Sequence, residues 1–570
     1  MDRRLLLAIT LILIVLILPS LIFEAPPPPT RPAPAVADSQ ARPQVGAAAE
    51  EVELPETLRP DTPPVTETAP DPVVVTEPVV VASPLYRFSF SPIGARLVGA
   101  ELLEYRSFAA GDEGPAQLMP DASGFLSYRL VFGNDTVSLA DWHFEPSAEQ
   151  VDVGPGGASL TWVARRGVAT IRLTYTFRPD SYRFEVRGEF EGISAAGVVV
   201  VGMGPRLRSI DSDSIVDFRA YGVVTKNRST DKLKFTSLDF GESRSLAGPF
   251  EWVSIKSKYF LATILAVGEG QPRFGGAHVT GGPRTQARTK GFLATFFKRD
   301  VSVATQVNVL ASLPVPAGSF AFSMYLGPQE YRRLAQIGHE LEDVNPYGWI
   351  LRPIIGPLSI LVERLLLWMH ETLNLEYGWV LVLFGVAIRL ALWPLNSKAM
   401  RSQMAMQALQ PEMKAIQERH KNDRQKLNQE MMKLYKHHGA SPLGGCLPIL
   451  LQMPILFTLF FVFLNTIEFR GVPFLWLPDL SLADPLLIIP LVMGGSMFAL
   501  SKIGQIGVPP NPQTKMMVYV MPVVFTVLFL QFSSGLNLYY ATSNITSLPQ
   551  QWMVARERLR RAHKKKTAKT

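Results

Sequence analysis

Arg389 lies inside an apolar run, from Trp379 through Val386, Ala387 and Ile388 to Leu392 and Trp393. A guanidinium cannot shed its charge, and at the centre of a membrane helix it costs about 2.5–3.5 kcal/mol on insertion scales. Such a side chain either snorkels to an interface or faces a wet protein interior. At 1.5 Å per residue it sits roughly 9 Å from Leu395, so a long side chain nearly reaches water from there. A second polar feature lies near the C-terminus. Asn537, Tyr540, Asn544, Ser547 and Gln551 recur at spacings of three and four, which places them on one helix face. That stripe reads either as hydrogen-bonding glue between helices or as the wall of a wet cavity. On the residues alone, both choices stay open.

Other chemistry is sparse. The single cysteine, Cys446, excludes an intramolecular disulfide framework. The eight histidines are scattered; His437 and His438 are the one close pair and lack neighbouring ligands, so no metal is expected. His143 and His278 read as ordinary surface groups. There is no Walker P-loop, HExxH, GxSxG elbow or Ser/Lys protease arrangement, and the chain reads as a non-enzyme without cofactors.

The elements that must position Arg389 follow from the hydropathy pattern. The 570 residues are 47% hydrophobic, with a mean hydropathy of +0.14, and the apolar residues fall in blocks, which argues for a polytopic α-helical membrane protein. Residues 1–23 read as an uncleaved anchor: 5–23 is apolar, Arg3 and Arg4 precede it, and no small-residue cleavage site follows. Residues 24–83 are rich in Pro, Ala, Glu and Thr and read as a semi-stiff tether. Residues 84–340 alternate with period two, for example over 170–177, 182–187 and 302–309, and predict an antiparallel β-sandwich. Residues 341–374 carry Arg352, Glu363 and Arg364 among Ile, Leu and Trp, with Pro353 and Pro357 breaking the start. They fit an interfacial amphipathic helix. Five apolar segments follow within 375–554, at 377–395, 446–467, 486–503, 516–532 and 535–554. With the anchor they make six spans.

Charge sets the expected orientation. The formal net charge is +7. Nine Lys and Arg, from Lys398 to Lys436, lie between the second and third spans, and only Arg470 between the third and fourth. Residues 555–570 form a basic tail with Arg556, Arg558, Arg560, Arg561, Lys564, Lys565, Lys566 and Lys569. The positive-inside rule puts the 396–445 loop, the tail and both termini in the cytoplasm and the β domain on the far side. The loop is a helical hairpin in its own right: Met413 and Ile416 mark one apolar stripe, Leu427, Met431 and Leu434 another, with Pro411 in a first turn and Asp423 as a cap. Fourteen of the 18 methionines lie beyond residue 345. Such side chains suit either plain core filling or a surface that fits many apolar partners. The basic tail offers contact to RNA or anionic lipid rather than duplex DNA.

These motifs resemble the YidC family of bacterial membrane protein insertases. The likeness is carried by Ala408-Leu409-Gln410-Pro411, Leu427-Asn428-Gln429-Glu430-Met431-Met432-Lys433-Leu434-Tyr435 and Pro442-Leu443-Gly444-Gly445-Cys446-Leu447-Pro448. It continues in Gln452-Met453-Pro454, Trp476-Leu477-Pro478-Asp479-Leu480, Asp484-Pro485 and Met521-Pro522-Val523. A looser match runs through Phe90-Ser91-Pro92-Ile93-Gly94-Ala95, Lys258-Tyr259-Phe260 and Tyr325-Leu326-Gly327-Pro328. The resemblance implies a five-helix core around a hydrophilic groove, with the groove arginine at Arg389, and a periplasmic β-supersandwich of the kind Gram-negative members carry. It implies insertion of nascent membrane proteins into the inner membrane, alone or with the Sec translocon and its accessory subunits, from ribosome-bound chains. The chain departs from the pattern at Ser533, where relatives commonly have proline, and at Gly385, where some have a polar residue. The rival readings are a secondary transporter with an anion site at Arg389 and a membrane-anchored periplasmic carbohydrate-active protein.

Overall fold

The structure is a computed structural model and describes residues 77–120, 124–193, 196–266, 273–288, 300–316, 318–345, 352–421, 423–438, 447–507 and 512–567. The expected anchor and nearly all of the expected tether lie outside these residues. The tether's last residues do not: Val79–Ala82 is a strand, paired antiparallel with Tyr86–Phe90 and parallel with Gln150–Asp152. Its alternate valines, Val79 and Val81, are buried, and β-branched side chains favour this half-buried pleat. The β domain therefore begins before residue 84.

Three large sheets build that domain. The nine-stranded one runs in the order Thr230–Lys234, Gly222–Lys226, Trp252–Lys256, Phe260–Ala266, Ser319–Pro328, Arg183–Glu191, Ala169–Phe177, Ala158–Arg166, Glu145–Pro146. A six-stranded and a five-stranded sheet share one hydrophobic core with it. Along Ala169–Phe177 every second residue is buried, as the alternation predicted. Tyr128 and Tyr175, on different sheets, bring their hydroxyls to 3.0 Å, and Tyr175 donates to the Ala95 carbonyl at 2.8 Å, so these buried phenols keep their polar ends satisfied. The segment 302–309 is not one strand. Asp300–Ala304 pairs with Arg284–Arg288, whereas Val307–Val315 enters the six-stranded sheet. The chain changes sheets at Thr305 and Gln306, where the Gln306 carbonyl accepts the Gly282 N–H.

The helices are α1 (Ser214–Ala220) and α2 (Tyr331–Ile337) in the β domain, then α3 (Arg352–Leu373), α4 (Tyr377–Ala391), α5 (Trp393–Ala408), α6 (Gln410–Arg419), α7 (Arg424–His437), α8 (Leu447–Asn465), α9 (Ile488–Gly504), α10 (Pro512–Phe529) and α11 (Ser534–Thr567). The prolines do not interrupt α3. Pro353 sits in its first turn and Pro357 lies inside it on the exposed side. Ile355, Leu366 and Met369 of α3 are buried together with Glu363, while Leu361 and Trp368 are exposed. The 377–395 segment ends early, at Leu392, because Pro394 cannot supply the N–H that would continue α4. In the hairpin, Asp423 accepts the Lys426 N–H at 3.0 Å as an N-cap, and Tyr435 donates to Met413 Sδ at 3.9 Å across α6 and α7. Met413, Ile416, Leu427, Met431 and Leu434 are all half-buried there. Each of the five apolar segments overlaps a helix. No single described helix is long and apolar enough to cross a membrane alone. Ile355–Leu373 and Tyr377–Ala391 meet the requirement together, bent by 117° at their junction.

A polar helix face beside Arg389

Helices α4 and α11 approach closely at Gly385. A Cβ there would lie 3.4 Å from the Thr542 side chain and from the Tyr539 carbonyl. The absence of a side chain at this crossing lets the backbones come together, so the departure at Gly385 has a packing cause. One turn on, Arg389 is half-buried against α11 and donates from Nε to the Ser543 carbonyl at 3.2 Å. The same carbonyl accepts the Ser547 hydroxyl at 2.7 Å. Among the described residues no carboxylate lies within ion-pair distance of Arg389. The guanidinium is held by a backbone dipole and keeps donors to spare.

The 537–551 stripe is only partly Arg389's neighbour. Asn537 is buried and donates to the Phe529 and Phe532 carbonyls, at 2.9 and 3.3 Å, closing the end of α10. Tyr540 is buried edge-on against Phe529. Asn544 donates to Ser496 Oγ on α9 at 3.2 Å. Gln551 lies against Gly504, where an added Cβ would meet its Nε2 at 2.5 Å. Asn537 and Asn544 thus hydrogen-bond to α10 and α9, while Tyr540 and Gln551 meet the same helices by packing. Ser547 alone shares the Ser543 carbonyl with Arg389.

The residues that do share Arg389's side were not singled out from the sequence. Ser543 is buried and supplies the carbonyl. Tyr539 is buried and tilts against Phe384 at 5.7 Å. Gln550 is buried and donates to the Trp393 carbonyl at 2.9 Å and to Ser397 Oγ at 2.8 Å, bridging the α4–α5 break. Positions 539, 543, 546 and 550 form a polar stripe one residue behind the one chosen, with the same spacing. The sequence carried that signal, but both stripes have the helical period.

The basic tail continues α11. Arg556 stacks over Trp552 at 3.5 Å. Arg558 donates to the Gly504 and Ile506 carbonyls at 2.8 and 2.9 Å, so it closes the C-terminus of α9 rather than standing free for a partner. Arg560 is exposed. The side chains of Arg561, Lys564, Lys565, Lys566 and Lys569 lie outside the described residues.

Comparison with known proteins gives two family matches. Residues 78–361 match the YidC periplasmic domain, and residues 368–562 match the 60Kd inner membrane protein family. A membrane protein insertase YidC from Ralstonia nicotianae is 32% identical over 93% of this chain and 88% of its own. One from Magnetococcus marinus is 32% identical over 82% of each. A solved structure, described as an active YidC insertase with the first transmembrane domain resolved, aligns with 84% of this chain and 95% of its own. Its identity is 17% and its TM-score 0.33.

Proposed function

The chain belongs to the YidC family of membrane protein insertases, and on that premise we propose that Arg389 and the adjoining face of α11 form the groove that receives a nascent membrane protein. The observation that carries this reading is a cation with no carboxylate partner among the described residues, lodged between two helices and tied to the Ser543 carbonyl. A fixed positive charge with spare donors lowers the cost of bringing a short polar flank, above all an acidic one, partway across an apolar layer. The apolar part of the incoming segment then slides into lipid, where burial at about 25 cal/mol per Å² supplies the driving force. This step calls for no nucleotide. Tyr539, Ser543, Ser547 and Gln550 would line the path, while Asn537, Tyr540, Asn544 and Gln551 hold α9, α10 and α11 together around it.

In this reading the chain has six spans, five of them around the groove, and both termini in the cytoplasm. The hairpin of α6 and α7 captures the emerging segment on its half-buried methionine and leucine stripes. Ribosome-bound chains are the source, the Sec translocon is an optional partner, and the exposed part of the basic tail meets ribosomal RNA or anionic lipid. The relatives' names support insertion over the anion-transporter and carbohydrate-active readings.

The test is crosslinking from a photoreactive residue at position 389 to a ribosome-bound, stalled membrane protein. Crosslinks from 389 and 543 that exceed those from the outward-facing Leu390 are expected. Crosslinks confined to other faces, with 389 silent, would remove the groove from the mechanism.

A further inference from the structure

We infer that the loop between α8 and α9 is a latch that fixes the β domain to the groove helix α11, with Arg470 as its pin. This stands apart from whatever passes Arg389. The loop has a foot in each core. Ile467 is buried among the residues of the β-domain core, whereas Phe469, Phe474, Leu477 and Leu480 belong to the core of the helices. Between them, Arg470 enters a socket on the β domain with only 4% of its side chain exposed. Its Nε donates to Asp211 Oδ1 at 2.6 Å, its Nη1 to the Arg106 carbonyl at 2.9 Å and its Nη2 to the Ile210 carbonyl at 3.1 Å. The guanidinium also lies 4.6 Å from the Phe108 ring centre and 5.3 Å from that of Phe260. The next residue, Gly471, has φ +70°, and a Cβ there would lie 2.2 Å from the Phe108 ring, so only glycine lets the chain leave the socket.

The far end of the same loop grips α11. The N–H groups of Ser534 and Gly535 donate to the Leu482 and Leu480 carbonyls at 2.6 and 3.0 Å, and Ser534 Oγ donates to the Asp479 carbonyl at 3.1 Å. The β domain is thus tied through one loop to the first turn of the helix that carries Tyr539 and Ser543.

Other contacts along the seam are more exposed, among them the Arg364 guanidinium donating to the Tyr331 hydroxyl at 2.5 Å. Arg332 and Glu371 pair at 2.5 Å with more than half of each side chain exposed, a geometry that contributes little. Beside the socket the packing opens into a cavity of about 150 Å³, lined in part by Asp211, Tyr259, Phe463, Ser533 and Leu536. A desolvated guanidinium with one carboxylate and two carbonyl partners is different. Removing it leaves the part-buried Asp211 carboxylate and Ile210 carbonyl without this partner, and lysine cannot reproduce the planar fork.

The experiment uses the full-length chain in lipid vesicles with Cys446 replaced by serine. Spin labels go on Phe240→Cys in the β domain and Ile545→Cys on α11, both exposed positions, and their separation is read by pulsed electron resonance. One narrow distance distribution is expected for the parent. Arg470→Ala and Asp211→Ala should each broaden it severalfold, Arg470→Lys and Asp211→Asn should broaden it less, and Arg470→Ala with Asp211→Ala should add nothing to Arg470→Ala alone. Glu371→Ala should leave it narrow. If Arg470→Ala proves unfolded, the Lys and Asn variants decide. A distribution that stays narrow when Arg470 or Asp211 is changed, or that broadens only with Glu371→Ala, overturns the latch.

Discussion

Charged groups in this chain do opposite things depending on what surrounds them. Arg389 keeps donors free, whereas Arg470 has spent its three nitrogens on Asp211 and two carbonyls, and Arg558 places Nη1 on the Gly504 and Ile506 carbonyls. Asp217 on α1 is the acidic counterpart. It is 1% exposed, and burial pushes its pKa up to about 7, assisted by the nearby charge of Asp211 and opposed by the Lys258 N–H that donates to Oδ1 at 2.9 Å. The Tyr221 hydroxyl stands 3.4 Å from Oδ2. The folded chain therefore holds a proton on Asp217 that the unfolded chain, with its carboxyl near the ordinary value of 3.8, releases. The stabilisation from that proton is complete below about pH 4 and is lost as pH rises towards 7, with a slope approaching about 1.4 kcal/mol per pH unit. Melting of the purified protein at pH 5, 6 and 7 should show this fall from Asp217, and Asp217→Asn should flatten it. An unchanged slope in the variant would place the titration elsewhere.

At the level of elements, the approach of α4 to α11 decides whether Arg389 reaches Ser543. The gap at Gly385 admits a methyl at ordinary contact, 3.4 Å from Thr542 and the Tyr539 carbonyl. Gly385→Ala should therefore melt like the parent, while Gly385→Leu forces the helices apart at a cost of about 1–3 kcal/mol. The leucine variant should also lose the crosslink from position 389 to a stalled chain; a leucine variant with parental melting and crosslinking would show that the crossing does not position Arg389. Local signals of this kind were legible in advance where one residue type has one physical use. Asp423 caps α7, Pro411 opens α6 and the alternation over 170–177 falls in the strand Ala169–Phe177. Where a signal was shared between neighbours, the sequence left it ambiguous. The stripes at 537–551 and 539–550 have the same period, and only the packing of α9 and α10 tells them apart. The split of 302–309 was hidden for a related reason: alternation records which face is buried, not which sheet the strand joins.

For the whole molecule, Arg470 bears on orientation as well as docking. It is the lone basic residue between the third and fourth spans, and with its charge spent in the β-domain socket it leaves that loop without a free cation. The nine Lys and Arg of the 396–445 loop then stand against no free cation in the short loop between the third and fourth spans, a contrast the positive-inside rule reads. A cytoplasmic hairpin and a periplasmic β domain require an odd number of crossings between them. Single cysteines at Met432 in α7 and Phe240 in the β domain, 53% and 75% exposed, read it directly in a Cys446→Ser background. A membrane-impermeant maleimide added to spheroplasts should label Phe240→Cys at once and Met432→Cys only after lysis. Labelling of both before lysis would put the hairpin and the β domain on one side, and the groove would then open towards the wrong compartment to receive a chain from the ribosome.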